Sequence, residues 1–176
     1  MRKQAVAHTP PKIIVILCDI RSAHNVGSVF RTSDAAGVSE IFLCGYTPAP
    51  KDRFGRAESG AQKDIAKVAL GAEKSIAWQA EEDAVKLIRR LQKRGAYVVA
   101  IEQAPEAVSI KEVGAKIVQM PSKKEIAFVF GNETKGLPEN ILKICDEVTF
   151  IPMKGVKESL NVSVAVGIAL YLALDI

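Results

Sequence analysis

Apolar residues in this chain arrive in short runs of strand length that stop at polar, glycine-bearing loops, with stretches of helical period between them. Residues 13–18 (IIVILC) are a β-branched run of strand type, and residues 19–24 are polar. A helix is predicted to open at Asn25, whose side chain suits an N-cap, and to stop near Gly37 in the C′ position. Residues 40–44 supply the next strand. Residues 45–60 are rich in glycine, proline and charge, and read as a long surface loop.

Residues 61–70 look helical and residues 75–78 a short strand. Residues 81–94 are strongly amphipathic: Val85, Leu87, Ile88 and Leu91 share one face, acids open the segment, bases close it and Gly95 ends it. Residues 96–101 read as a strand, and residues 103–124 fit either a short helix or a loop, closed by Pro121. A strand at 126–130, a helix with Pro138 at N1, a strand at 148–151 and a terminal helix from about Leu160 complete the pattern.

Strands alternating with helices predict an α/β fold, a mostly parallel sheet flanked by helices. The terminal helix is apolar almost all round (Val162, Val164, Val166, Ile168, Leu170, Leu172), which predicts burial on more than one side. Val162, Val166 and Leu170 are not expected all to face one core, so a subunit contact through this helix is anticipated.

Composition narrows the picture. At 176 residues and 48% apolar content the chain can bury one core but hardly two, so one domain over residues 1–176 is expected, with residues 1–12 as a flexible N-terminal extension. The net charge of +4 permits a nucleic-acid partner without requiring one. Cys18, Cys44 and Cys145 are far apart and lie in or beside apolar runs, and His8 and His24 are too few to complete a zinc site. They read as free buried thiols in a reducing cytoplasm, and no metal is expected. The first eleven residues lack the apolar segment of a secretory signal, and residues 160–174 are too short and too interrupted by Asn161 and Ser163 to span a bilayer. A cytoplasmic protein with no membrane partner is expected.

Chemistry concentrates in the last third. Val129 and Phe130 hand directly to Gly131, Asn132 and Glu133, and Phe150 and Ile151 lead on to Ser159 and Asn161. Loops after strands are where α/β folds keep ligand sites. The common nucleotide fingerprints are absent: no G-x-G-x-x-G follows the first strand, and the spacing of Gly131 and Gly136 runs into Leu137-Pro138 where a phosphate loop needs Lys-Ser/Thr. No G-x-S-x-G elbow exists, so Ser159 is not a hydrolase nucleophile of that type.

Three blocks in fixed order do match a pattern: Asn25-Val26-Gly27-Ser28-Val29-Phe30-Arg31, FGNETKGL at 130–137, and IPMKG followed by SLNVSVA within 151–165. Together they resemble the SpoU/TrmH family of SPOUT RNA methyltransferases, over nearly the whole chain. The resemblance implies methyl transfer from S-adenosylmethionine to a ribose 2′-hydroxyl of tRNA or rRNA, a sheet whose C-terminal part is threaded into a deep trefoil knot, and a homodimer. It implies that backbone at Gly131, Ile151 and Leu160 holds the cofactor, that Ile101, Glu102 and Gln103 line the same crevice, and that Met153 borders it. Gly131 lacks a Cβ, so a flat adenosine group can approach its backbone closely.

By the same resemblance Arg31 takes the catalytic position, completed by Ser159 and Asn161, with Asn25 and Glu133 at the mouth. A guanidinium stays protonated at neutral pH and is a poor base, so clamping a phosphate and stabilising a developing alkoxide is the role favoured for Arg31 over proton abstraction. Ser159 and Asn161 also suit a helix cap, Asn25 likewise, and Glu133 fits an acceptor for Arg31, an acceptor for the adjoining loop, or a turn cap before Pro138. Arg2, Lys3, Lys51, Arg53 and Arg56 are the expected contacts to RNA backbone. The rival within the fold is base methylation, whose motifs differ from SLNVSVA. The rival from another class is an RNA-binding protein that keeps the scaffold without activity, against which intact Arg31, Ser159 and Asn161 argue.

Overall fold

The computed structural model describes residues 11–52, 55–57, 60–121 and 124–176, so Arg2, Lys3, Arg53 and most of the expected N-terminal extension lie outside the described residues. Among these residues seven strands form one sheet: β1 (Lys12–Cys18), β2 (Glu40–Cys44), β3 (Ala77–Glu81), β4 (Tyr97–Ile101), β5 (Val108–Ser109), β6 (Glu125–Phe130) and β7 (Glu147–Phe150). Their order is β3-β2-β1-β6-β4-β7-β5, and every pairing is parallel. The helices are α1 (Ala23–Ala35), α2 (Gly60–Ala69), α3 (Ala72–Ser75), α4 (Ala84–Lys93), α5 (Ile110–Val118), α6 (Glu139–Leu142) and α7 (Val162–Leu174).

The continuous apolar runs of β1 and β6 follow from their central place, where both faces are covered. Side chains alternate between two cores. Ile13, Val15 and Leu17 pack with residues of α1, α2, α5 and α7, whereas Ile14, Ile16 and Cys18 pack with Leu87, Ile88 and Leu91 of α4 and Ile141 of α6. Since all strands run the same way, their C-terminal ends share one rim of the sheet.

Several local expectations need correction. The cap of α1 is Ser22, whose hydroxyl accepts the Asn25 N–H at 3.2 Å, so the helix begins at Ala23 and the Asn25 side chain is released for other bonds. Pro138 is extended (φ −70°, ψ 150°) and caps α6 rather than occupying its first turn. Residues 72–75 are helical and the strand begins at Ala77; β3 lies at the sheet edge with mostly exposed side chains, which leaves little apolar pattern. The ambiguous 103–124 stretch holds β5 and α5, the latter opened by a Ser109/Glu112 capping box. Asn161 caps α7, accepting the Ser163 N–H at 2.9 Å, so that helix starts at Val162.

Val162, Val166 and Leu170 do all face one core, in one cluster with residues of α1 and α5. The outward face of α7 carries Val164 and Tyr171, 49% and 43% exposed. Among the described residues no helix is long and apolar enough to cross a membrane. Cys18 and Cys44 occupy paired positions on β1 and β2 as buried free thiols, and the hydrogen bond to Cys44 together with burial pushes the Cys18 thiol up. Burial, with Asp146 beside it, raises Cys145 to about 12.

The rim opposite the strand C-termini is a belt of paired charges. Glu40 accepts from Gln79 (2.8 Å) and Lys12 (3.1 Å), Lys12 also lies 3.6 Å from Glu125, and Arg94 donates to Glu125 at 2.7 Å. Further along, Glu147 accepts from Tyr97 at 3.0 Å and from Lys116. Burial and the Glu147 carboxylate raise the Tyr97 phenol well above its ordinary value.

Gly27 of the first motif block serves packing. A Cβ there would lie 2.7 Å from the Ile65 carbonyl oxygen and 2.9 Å from Val68 Cβ, so the glycine lets α1 lie against α2. Gly27→Val is therefore expected to force the helices apart and cost about 1–3 kcal/mol, seen as a lower midpoint in urea unfolding at unchanged slope.

Candidate active site

At the strand C-terminal rim a cleft of about 290 Å³ opens between the loops that follow β4, β6 and β7. Residues 131–137 form one wall, and a closed local network holds them. Asn132 Oδ1 accepts the N–H groups of Thr134 and Lys135, each at 2.9 Å, and the Gly136 N–H returns to the Asn132 carbonyl at 2.9 Å. Gly136 sits at φ +65°, a left-handed position that glycine enters freely. From the β4 side, Glu102 accepts the Leu137 N–H at 2.7 Å and the Gln103 N–H at 3.0 Å. From the β1 side, the Asn132 amide donates to the Asp19 carbonyl at 2.8 Å.

This loop changes the meaning of Gly131. A Cβ at Gly131 would meet Gly136 C at 2.4 Å and Leu137 N at 2.5 Å. The space above Gly131 is taken by the protein's own backbone, so the glycine is required by the loop itself and not only by an approaching ligand. A larger residue there displaces the wall itself.

Glu133 points from the same loop toward α1. Its carboxylate accepts the N–H groups of Arg21 (3.0 Å) and Ser22 (3.2 Å) and the side-chain amide of Asn25 (3.0 Å). Asn25 Oδ1 in turn accepts from the Asn161 amide at 3.0 Å, and Asn161 Oδ1 takes the Ser163 N–H and hydroxyl at 2.9 and 2.6 Å. Glu133, Asn25 and Asn161 thus form one chain of hydrogen bonds that ties the β6 loop, the start of α1 and the start of α7 together. Partial burial pushes the Glu133 carboxyl up, but the three donors outweigh it and hold the group below its ordinary value.

Ile101, Glu102, Gln103, Gly131, Ile151, Met153 and Leu160 all line the cleft, and Glu133 and Ser159 line it with them. Asn25 and Asn161 stand at its edge through the bonds just described. Arg31 is exposed and makes no hydrogen bond or ion pair among the described residues; it lies six positions beyond Asn25, about 9 Å along the helix axis. Neither Ser159 nor Asn161 bonds to it, and Asn161 holds Asn25 instead. Lys51 is exposed, while Arg56 is exposed but pairs with Asp52 at 2.8 Å. Asn132 and Glu158 were given no site role by the sequence pattern. The signal for Asn132 was an Asn opening a tight turn closed by glycine, a loop-organising arrangement; for Glu158 nothing but its position before Ser159 marked it.

The cleft can take a flat apolar group against Ile101, Phe130, Ile151 and Leu160, and a cationic group beside the carboxylates of Glu102, Glu133 and Glu158. Among the described residues no group of three or more His, Cys, Asp or Glu is placed to hold a metal ion.

The chain is similar in sequence and fold to known proteins. The sequence profile of the SpoU rRNA Methylase family matches residues 12–171. A protein of Ralstonia nicotianae named 23S rRNA (guanosine-2'-O-)-methyltransferase RlmB is 32% identical over 92% of this chain and 57% of its own length. Its counterpart in Shewanella oneidensis is 32% identical over 96% of this chain and 61% of its own. The chain therefore spans a little over half the length of these curated relatives. Among solved structures, an AdoMet-bound rRNA methyltransferase from Sinorhizobium meliloti superposes with a TM-score of 0.77 at 27% identity, covering 96% of this chain and 57% of that one. The A. aeolicus TrmH/SpoU tRNA modifying enzyme gives 0.75 at 30% identity, over 95% and 76%.

Glu133→Ala leaves the Arg21 and Ser22 N–H groups and the Asn25 amide without their acceptor, with an expected loss of about 1–3 kcal/mol at pH 7. Because the folded carboxyl sits below its unfolded value, its contribution is complete above the ordinary glutamate pKa and fades as pH falls through the depressed one. Urea unfolding at pH 7 and near pH 3 should show the gap between parent and variant closing at the acid end. A gap independent of pH would assign the loss to packing.

Proposed function

Because the chain belongs to the SpoU rRNA Methylase family, we propose that its cleft binds S-adenosylmethionine and that it methylates a ribose 2′-hydroxyl of RNA. The observation that carries this reading is the convergence of the β4, β6 and β7 loops on one cleft whose walls are apolar and whose charges are mostly carboxylates. Bound there, S-adenosylmethionine supplies an electrophilic methyl on a positively charged sulfur, and its passage to the 2′-oxygen leaves a neutral thioether and one proton to be removed.

The chain's own residues would do the following. Ile101, Ile151 and Leu160 enclose the flat part of the cofactor, with backbone at Gly131 and Gln103 along its edge and Met153 at the border. Carboxylates of Glu102, Glu133 and Glu158 favour a cation beside them. Asn25 and Asn161, locked to each other and to Glu133, fix the start of α1, so that Arg31 extends from an ordered helix with its guanidinium uncommitted. A planar fork of that kind holds a phosphate bidentately and stabilises negative charge on the attacking oxygen. Ser159, exposed at the cleft, would hydrogen-bond the ribose.

Ribosomal RNA is the first substrate to try, since the curated relatives are named for a guanosine of 23S rRNA, and the cytoplasm is where such a substrate lies. The inactive RNA-binding alternative has no observation in its favour. Lys51 and Arg56, with Arg2, Lys3 and Arg53, are proposed to track the RNA backbone. The trefoil knot belongs to the same proposal: β6 and β7 lie on either side of β4, so the connections after β4 pass back and forth across it. A density map tracing residues 131–165 checks the threading. The homodimer is proposed to form through the outer face of α7, where Val164 and Tyr171 are exposed.

Two experiments test these points. Titration with S-adenosylmethionine, followed by transfer of labelled methyl to total RNA, tests the activity. In it Arg31→Lys should lower turnover about 100-fold and Arg31→Ala further still, with cofactor affinity within about twofold of the parent. Full activity in Arg31→Ala would remove the assignment. For the dimer, light scattering at micromolar concentration should show Val164→Glu as a folded monomer, and a parent that is itself monomeric would end that part of the proposal.

A further inference from the structure

Tyr46 is a large aromatic left 59% exposed, yet it is pinned at both ends. Its N–H donates to Asp19 Oδ1 at 3.2 Å, and its hydroxyl accepts the Asn132 side-chain amide at 2.9 Å. The residues around it are fixed as well. Gly45 takes φ +64°, its N–H bonds to the Glu81 carbonyl at 2.9 Å, and a Cβ there would lie 2.0 Å from Asp19 Oδ1. Asp19 itself holds a left-handed φ of +56°, uncommon for a residue with a side chain. Thr47 is buried, accepts the Ile20 N–H at 3.0 Å and donates its hydroxyl to the Cys44 carbonyl at 2.7 Å.

An exposed tyrosine ordinarily keeps its rotamer freedom. Here that freedom is already given up in the free protein, and the ring stands one hydrogen bond from Asn132 in the cleft wall. Arg21, two residues beyond Asp19, is exposed and has no ion-pair partner for its guanidinium among the described residues. A pinned ring bonded to Asp19, two residues before an exposed Arg21, matches the chemistry of an unpaired nucleotide, whose base stacks on an aromatic face while its phosphate meets a cation. We propose that Tyr46 is a preformed stacking platform for an unpaired nucleobase of the RNA substrate at or next to the modified ribose, with Arg21 on the adjoining phosphate. This rests on the RNA methyltransferase reading above. Because the ring is ordered beforehand, the base does not have to immobilise it on binding.

The test separates the ring from its hydroxyl. Tyr46→Leu removes the stacking face and is expected to raise KM for RNA about tenfold, with kcat and S-adenosylmethionine affinity within about twofold. Tyr46→Phe keeps the face and loses only the bond to Asn132, so its KM should stay within about threefold of the parent. Tyr46→Trp should show indole emission that single-stranded RNA quenches beyond any change seen in the parent, which carries Trp78 alone. An unchanged KM in Tyr46→Leu overturns the proposal. Equal damage from Phe and Leu overturns it too, since the hydroxyl would then be acting as a strut for Asn132. Dissociation of a parent dimer by Tyr46→Leu would assign the ring to a subunit contact. Should the parent transfer no methyl to RNA, the activity reading fails, while the quenching experiment, which needs no turnover, still decides the platform.

Discussion

The rim of this molecule depends on one close approach: the backbone of Gly136 and Leu137 lies over Gly131 where any other residue would carry its side chain. That contact folds the loop after β6 back onto the strand that delivers it. The fold-back turns Asn132 and Glu133 toward the β1 side and brings Leu137 within reach of Glu102 on the β4 side. One glycine thereby lets three strand outlets be stitched together without any of them leaving the sheet.

The stitching is done by amides and carboxylates rather than by apolar contact. Each such bond adds only modest net stability, because water competes for each partner, whereas removing a shared acceptor such as Glu133 forfeits several at once. Their value lies in direction. Every acceptor oxygen of Glu133, Asn25 and Asn161 is committed to a named donor, so loops that carry few apolar anchors still have one preferred arrangement. The apolar layers below set where the rim is; the polar chain sets which way its side chains face.

Legibility in the sequence followed burial. Strands β1, β2 and β6 could be read from their residues because both faces are covered and the apolar run is unbroken. Edge strands were harder: β3, mostly exposed, is read two residues early and stops short at 78, and β5, of two residues, is not read at all. Ser22 and Asn25 are both good caps three positions apart, and pattern alone cannot tell which takes the cap and which is freed for another bond. The helix α7 is apolar on all sides, so its periodicity says nothing of which face meets α1 and α5. The residues of the cleft were legible only through the three motif blocks. What those blocks could not disclose is that the room above Gly131 is filled by the chain itself, since a sequence does not show whether a glycine makes way for a ligand or for backbone. Tyr46 carried no pattern at all, because its setting arises from bonds to residues 27 and 86 positions away.

The belt at the opposite rim has an electrostatic consequence. Lys12, Arg94 and Lys116 face Glu40, Glu125 and Glu147, three cations against three anions, so these paired residues contribute none of the net charge of +4. A polyanion arriving by diffusion meets a neutral, interlocked surface there and has no reason to linger. The excess positive charge therefore lies outside this belt, and any long-range attraction of a polyanion is directed to other parts of the surface.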